Sequence, residues 1–413
     1  MQISLDRPAE GAWRMVGLAF AAQNFAIGLG IGSFGVLVLA IEQQYATSRT
    51  LASLGASLVL VAFGVFAPAA TRLIERFSIR STMIFGVVLG SLGYAALAVA
   101  PNIWWFLTAY LLLVGPGVLF AGNFPGSILI SNWFPGTKGR AIGIMMIPLG
   151  VMLVPLACTP ILETYGLQAV FWAMAAVNLL MLPLLLFVKD RPFYPAGYAD
   201  QYTASDEAND GHGGVLLSSG QLLRRADFWL MVIGIGVLNG SGMIKISHLV
   251  ALTAERGLSL ADATMLLAVS GGAGAVGSMM FGWLADRVGG LRSLIVNGLV
   301  QAGTWVIFLF DPNMPVLIAD AIVMGMAGAG VYAAMVVAFT DVFDASNLAK
   351  VMGVSGVFVV IPNFLSPPVA GLLRDMSGSY TMVLVAASAA CLVSVACMAA
   401  SLAYRAPVQP AAV

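Results

Sequence analysis

Three ionisable side chains stand inside long apolar runs of this sequence: Lys245, His248 and Asp320. A charge held in hydrocarbon costs at least a few kcal/mol, so such residues usually bind, relay or pair. Lys245 and His248 are three residues apart and Ser241 precedes Lys245 by four, which puts all three on one face of a helix. An ammonium there can hold a carboxylate as a point charge, without the two-pronged fork of arginine. An imidazole beside it can hydrogen-bond the same carboxylate or exchange a proton near neutral pH. Each residue also has a plainer reading. Lysine can snorkel toward water or shed its proton, and histidine can be satisfied by a helix neighbour. Lys245 stands ten residues from Glu255, too deep to snorkel easily. Asp320 lies five residues past Pro315, so it is either a proton acceptor or a half-exposed charge at a cavity mouth.

No other chemistry is legible. The glycines at 28, 30 and 32, and at 271, 272, 274 and 277, lack the lysine-hydroxyl ending of a phosphate loop and read as close packing and hinges. Cys158, Cys391 and Cys397 have no metal or redox spacing, and His212 sits alone in a polar stretch. The sequence therefore predicts no enzyme, no cofactor and no metal. With a net charge of zero it offers no basic face to nucleic acid.

The elements that position these residues are membrane helices. Of 413 residues 60% are hydrophobic and only 9% charged, against about 25% charged in soluble domains. Lipid must be the solvent for much of that surface. Twelve runs are long enough to cross a bilayer, at 13–40, 51–73, 82–100, 103–130, 141–162, 168–188, 227–253, 262–284, 293–310, 315–340, 351–373 and 380–403. They are continuous rather than alternating, which selects helices over barrel strands. The first is too long for a cleaved signal. With both termini in the cytoplasm, fifteen Lys and Arg fall inside and only Arg49, Arg256 and Arg374 outside, as the positive-inside rule requires. The stretch 189–226 reads as a flexible cytoplasmic linker. The organisation expected is thus a six-helix bundle over 1–188, a linker, and a second six-helix bundle over 227–413, monomeric and embedded in the cell membrane.

The halves are a repeat. Glu75-Arg76 and Asp286-Arg287, Trp133-Phe134 and Val342-Phe343, and Gly143 and Gly353 are related by offsets of 211, 209 and 210 residues. Parallel six-helix halves occur in a large class of transporters.

The segment from Gly282 to Gly289, with Asp286 and Arg287, resembles the signature loop of the major facilitator superfamily. Glu75 and Arg76 stand in a degenerate first copy, where Ser78 replaces a glycine. The resemblance implies an all-α fold of twelve spans in two pseudo-symmetric bundles, and a charge network at these loops that gates rather than selects. Three further segments resemble the monocarboxylate porter branch, which includes oxalate/formate-type exchangers: Ser33–Val36 with Thr47–Arg49, His248–Ala251 with Glu255–Ser259, and Pro367–Gly371 with Arg374–Tyr380. Animal members carry an Asp and an Arg four apart in span 8. Gly274 and Ser278 stand there in this chain, so that anion anchor is absent.

In this superfamily spans 1, 4, 7 and 10 line the central cavity. The resemblance therefore implies that Lys245 and His248 face it, with Lys245 replacing the missing arginine. The repeat sets Asn123 of span 4 opposite Tyr332 of span 10, with Gln23 in span 1; for each alone interhelical glue, worth about 0.6–2 kcal/mol, is the plainer reading, and their clustering in cavity spans offers them as further substrate contacts. Pro148, Pro155 and Pro160, and Pro362, Pro367 and Pro368, suit kinked helices that rock. The reading expected is a secondary carrier of a small organic anion, a monocarboxylate, coupled to protons or to exchange, with Asp320 or His248 as the proton site. An exporter of a neutral or aromatic compound is the alternative within transport. A non-transporting sensor is the other, disfavoured by a linker of only 38 residues.

Overall fold

The computed structural model describes residues 11–134, 138–191 and 217–404. His212 and the acidic cluster of the linker lie outside these. Among the described residues eleven helices are long and apolar enough to cross a membrane: Ala12–Tyr45, Arg49–Arg76, Ile79–Ala98, Ile103–Trp133, Ala141–Leu185, Ala226–Ala254, Leu260–Val288, Gly290–Phe310, Met314–Phe343, Lys350–Ser377 and Thr381–Ala403. The fifth carries two crossings. It has 45 residues, a path of about 68 Å if straight, roughly twice the hydrocarbon thickness. It reverses at Gly166, whose φ of 81° suits glycine.

The contacts on either side of Gly166 fix the two directions. Thr159 meets Thr264 near the start of span 8, while Val151 and Met152 lie against Gly271 further along it, so span 5 runs antiparallel to span 8. Phe171 packs on Phe106 near the start of span 4. The Trp133 indole at its end donates to the Lys189 carbonyl, so span 6 runs parallel to span 4. Twelve crossings result among the described residues, and both ends of the described chain lie on one face together with the described ends of the linker, 189–191 and 217–226. We call this the linker face and the opposite one the far face.

Local sequence sets the helix starts. Ser48, Ser78, Asn102, Ser259 and Asn313 each accept a first-turn N–H, capping spans 2, 3, 4, 8 and 10. Asp190 adds bonds to the N–H groups of Ile79 and Arg80, and Asp341 to that of Gly290, so the third helix of each half starts on a carboxylate. Span 5 is interrupted at 146–148. Pro148 has no N–H and pushes Ile147 out of the helical region. Asn24 of span 1 repairs the break by accepting the Gly150 N–H at 2.6 Å.

The halves meet along span 2 against span 11, span 8 against span 5, and span 1 against span 7. The first two pairs are equivalent under the repeat. Two glycines permit the tightest approaches. A side chain on Gly35 would strike the Ile246 carbonyl, and one on Gly371 would strike the backbone of Arg49 and Thr50.

Candidate functional site

Between the halves, at the level of the span 5 break, lies a cavity of about 250 Å³. Its walls are Pro148 and Val151, a run of span 7 from Asn239 to Ile246, the glycine face of span 8, Gly325, Gly328 and Ala329 of span 10, and Asn363. Among the described residues Lys245 is the sole charged side chain lining it. The ammonium is buried, with 6% of the residue exposed. It donates to the Met324 carbonyl at 3.1 Å and lies against Gly328, where any side chain would crowd it.

Asp320 stands one turn from Met324 along the same face of span 10. It is 3% exposed, and neither carboxylate oxygen has a hydrogen-bond partner. Its charge is close enough to Lys245 for each to feel the other. A buried carboxylate without donors is costly as an anion, and a proton or a nearby cation relieves it. Of the two readings left open by sequence, the half-exposed charge at a cavity mouth does not describe this residue.

The shared face of Ser241, Lys245 and His248 does not make one site. Seven helical residues span about 10 Å, and each side chain finds a different neighbour. Ser241 accepts from the Trp305 indole at 2.7 Å. His248, 1% exposed, lies beyond the cavity toward the far face. Its Nε2 is 2.9 Å from the Pro367 carbonyl and its Nδ1 is 2.9 Å from the Tyr380 hydroxyl. Neither nitrogen is free for a solute in this conformation.

Of the other expected substrate contacts, Gln23, Asn123 and Tyr332, none lines the Lys245 cavity. Gln23 is buried beside Gly122, and its amide nitrogen reaches only the Met146 sulfur, at 3.8 Å. Asn123 accepts from Ser127 at 2.9 Å on its own helix. Tyr332 is one turn past Gly328 on the same helical face and is 58% exposed. At the signature loops the expected charge network is not formed. Arg287 lies over the Trp283 ring at 4.2 Å and Arg76 over Phe77 at 5.6 Å. Among the described residues Glu75 and Asp286 make no ion pair.

The far face is closed by residues that sequence reading left as loop flanks. Arg49 of span 2, 2% exposed, pairs with Glu42 at 2.5 Å, donates to the Tyr380 hydroxyl at 2.7 Å and lies 3.6 Å from Glu255. Asp375 accepts from the backbone N–H groups of Arg49 and Thr50 and from the Thr50 hydroxyl. Arg374 pairs with Glu255 at 2.8 Å. Arg256, the third arginine on this face, sits 3.3 Å from Asp311. The three segments carrying the porter resemblance thus converge on one cluster. Its signal in the sequence was that Arg49, Arg256 and Arg374 are the exceptions to the charge rule, and all three are neutralised by partners.

The fold and this arrangement match known proteins. The chain belongs to the Major Facilitator Superfamily, whose family model matches residues 20–310 and 242–412. It is 26% identical over 401 residues to monocarboxylate transporter 11 of Homo sapiens, covering 91% of this chain and 80% of that protein. Monocarboxylate transporter 13 of Bos taurus is 26% identical over 393 residues, covering 92% and 88%. An uncharacterised MFS-type transporter of Bacillus subtilis (strain 168), YcxA, is 25% identical over 383 residues, covering 90% of each. Among solved structures, a D-xylose-proton symporter superposes with a TM-score of 0.72 at 14% identity, covering 97% of this chain and 98% of that one. A bacterial homologue of the lysosomal transporter Spinster, inward-facing and occupied, gives 0.68 at 14% identity, covering 94% and 98%. The chain is a multi-pass membrane transporter and not an enzyme, with the all-α fold of two six-helix bundles expected from sequence.

Proposed function

We propose that this transporter carries a small organic anion of the monocarboxylate class by alternating access, coupled to protons. It works in the cell membrane with both termini cytoplasmic, so that the linker face is the inner one. The observation that carries the reading is Lys245: a single buried cation in a small, otherwise uncharged cavity between the two halves. One cation suits one carboxylate, and the glycine, proline and aliphatic walls suit a short apolar body. A cavity of about 250 Å³ falls below the roughly 300–1,000 Å³ of drug-sized pockets. Asp320 beside it is the proton site. When a substrate carboxylate takes the ammonium, the neighbouring anion must leave or be neutralised, and a proton on Asp320 does this. The relatives named as monocarboxylate transporters support the class of solute.

Lys245→Gln tests the reading. It leaves a bound carboxylate buried without its counter-charge, which costs about 3–5 kcal/mol, or roughly 140- to 4,000-fold in affinity. Uptake of labelled carboxylates into proteoliposomes should collapse, with partial recovery in Lys245→Arg. Normal carboxylate uptake by Lys245→Gln would refute it. The apolar walls favour a second reading, an exporter of a neutral or aromatic compound. Counterflow of amphiphiles that is indifferent to Lys245→Gln would select that one.

A further inference from the structure

The far-face cluster contains one histidine, the side chain type whose ordinary pKa lies nearest neutrality, and it is linked to both halves through a single hydroxyl. The Pro367 carbonyl can only accept, so Nε2 of His248 carries a hydrogen. In the neutral ring Nδ1 is then an acceptor, and the Tyr380 hydroxyl donates to it. The Tyr380 oxygen in turn accepts from Arg49 across the interface between the halves. The Ser53 hydroxyl of span 2 is shared between the Thr50 carbonyl at 3.0 Å and the same Pro367 carbonyl at 3.2 Å. The chain of bonds runs from Arg49 through Tyr380 and His248 to Pro367, and every hydrogen in it has one acceptor.

We propose that this chain is a proton-released latch, closed only while His248 is neutral, so that acid on the far side opens the far gate. An imidazolium has two N–H donors. A hydrogen on Nδ1 would meet a hydroxyl that must itself donate there, leaving the phenol hydrogen without an acceptor in a buried place. It would also set a second cation behind the oxygen that Arg49 already occupies. Burial pushes the Tyr380 phenol up to about 12, so Tyr380 stays a neutral phenol throughout the working range. The other charged groups facing this place are Glu42 at the end of span 1, Arg49 on span 2, Glu255 after span 7, and Arg374 and Asp375 on span 11. None of them contacts the imidazole ring, whose two nitrogens touch only Tyr380 and Pro367. Once the gate opens, the ring meets water, where histidine titrates at pH ~6.5. The open state therefore binds the proton that the closed state refuses, and lowering the pH favours opening. The latch does not depend on which solute is carried.

The test is a distance measurement without solute. Spin labels go on Gln44→Cys and Ser379→Cys, exposed far-face positions in opposite halves, after Cys158, Cys391 and Cys397 are changed to alanine. The protein in nanodiscs should show one short distance at pH ~7.5. At pH ~5 a longer distance should grow, its ratio to the short one rising by up to tenfold per pH unit, the limit for one proton. His248→Gln should abolish the pH dependence, whereas Glu42→Gln and Glu255→Gln should keep it. Tyr380→Phe should show the longer distance at both pH values. A wild-type distance that ignores pH, or a pH response that survives His248→Gln, would overturn the proposal.

Discussion

Exchanging Arg49 for alanine removes the side chain that joins the halves at the far face, and the structure gives the scale of the effect. Its bond to Glu42 stays within the first half and does not resist opening. Two contacts cross to the second half: the 2.7 Å bond to Tyr380 and the 3.6 Å approach to Glu255. A hydrogen bond from a charged donor is worth about 1.5–3 kcal/mol, and a long, partly exposed ion pair under about 1 kcal/mol. The closed far gate should thus lose about 2–4 kcal/mol, shifting its equilibrium roughly 30- to 700-fold toward opening. Asp375 still holds the backbone of Arg49 and Thr50, so the variant should fold. The assay uses Ser270→Cys, a buried position on the cavity wall, in oriented vesicles exposed to a membrane-impermeant maleimide on the far side. Labelling should be slow while Arg49 is present and at least tenfold faster with Arg49→Ala. Glu42→Gln should change it far less. Equal labelling rates with and without the Arg49→Ala exchange would refute the view that this cluster holds the gate.

Gly371→Val places a side chain about 2.8 Å from the Thr50 backbone, a clash present only when the far gate is shut. It should abolish turnover while a melting curve stays near the wild type. Asp320→Asn removes the proposed proton site, so substrate uptake should lose its dependence on an imposed pH gradient while counterflow persists; gradient-driven uptake at the wild-type level would exclude Asp320 from coupling. Asn24→Ala leaves the Gly150 N–H buried without an acceptor. That costs about 1–3 kcal/mol, visible as a lowered melting temperature with Lys245-dependent binding retained.

Much of the architecture was legible because its determinants are local. Apolar run length, serine and asparagine caps, and the balance of Lys and Arg act within a few residues of the helices they define. The repeat also carried through, since the pairing of span 2 with span 11 mirrors that of span 8 with span 5. Lys245 was legible for a similar reason: a lysine deep in an apolar run needs a polar reason to be there, and its surroundings in any fold are expensive. The break in span 5 was foreshadowed by Pro148, although its repair by Asn24 was not.

The sequence by itself determined a membrane transporter of two related bundles, with one buried lysine as its strongest candidate for a site. Only the tertiary structure decided what each polar side chain meets. His248 shares a helical face with Lys245, yet its partners, Pro367 and Tyr380, are 119 and 132 residues away. Arg49 and Tyr380 are 331 residues apart. Helical periodicity gives the direction of a side chain about its own axis, and the register of two packed helices gives its depth and its neighbour. That register depends on close approaches such as Gly35 on Ile246 and Gly371 on Thr50. It placed His248 between Tyr380 and Pro367, left Tyr332 outside the Lys245 cavity, and set Asp320 near the lysine it was never adjacent to in sequence.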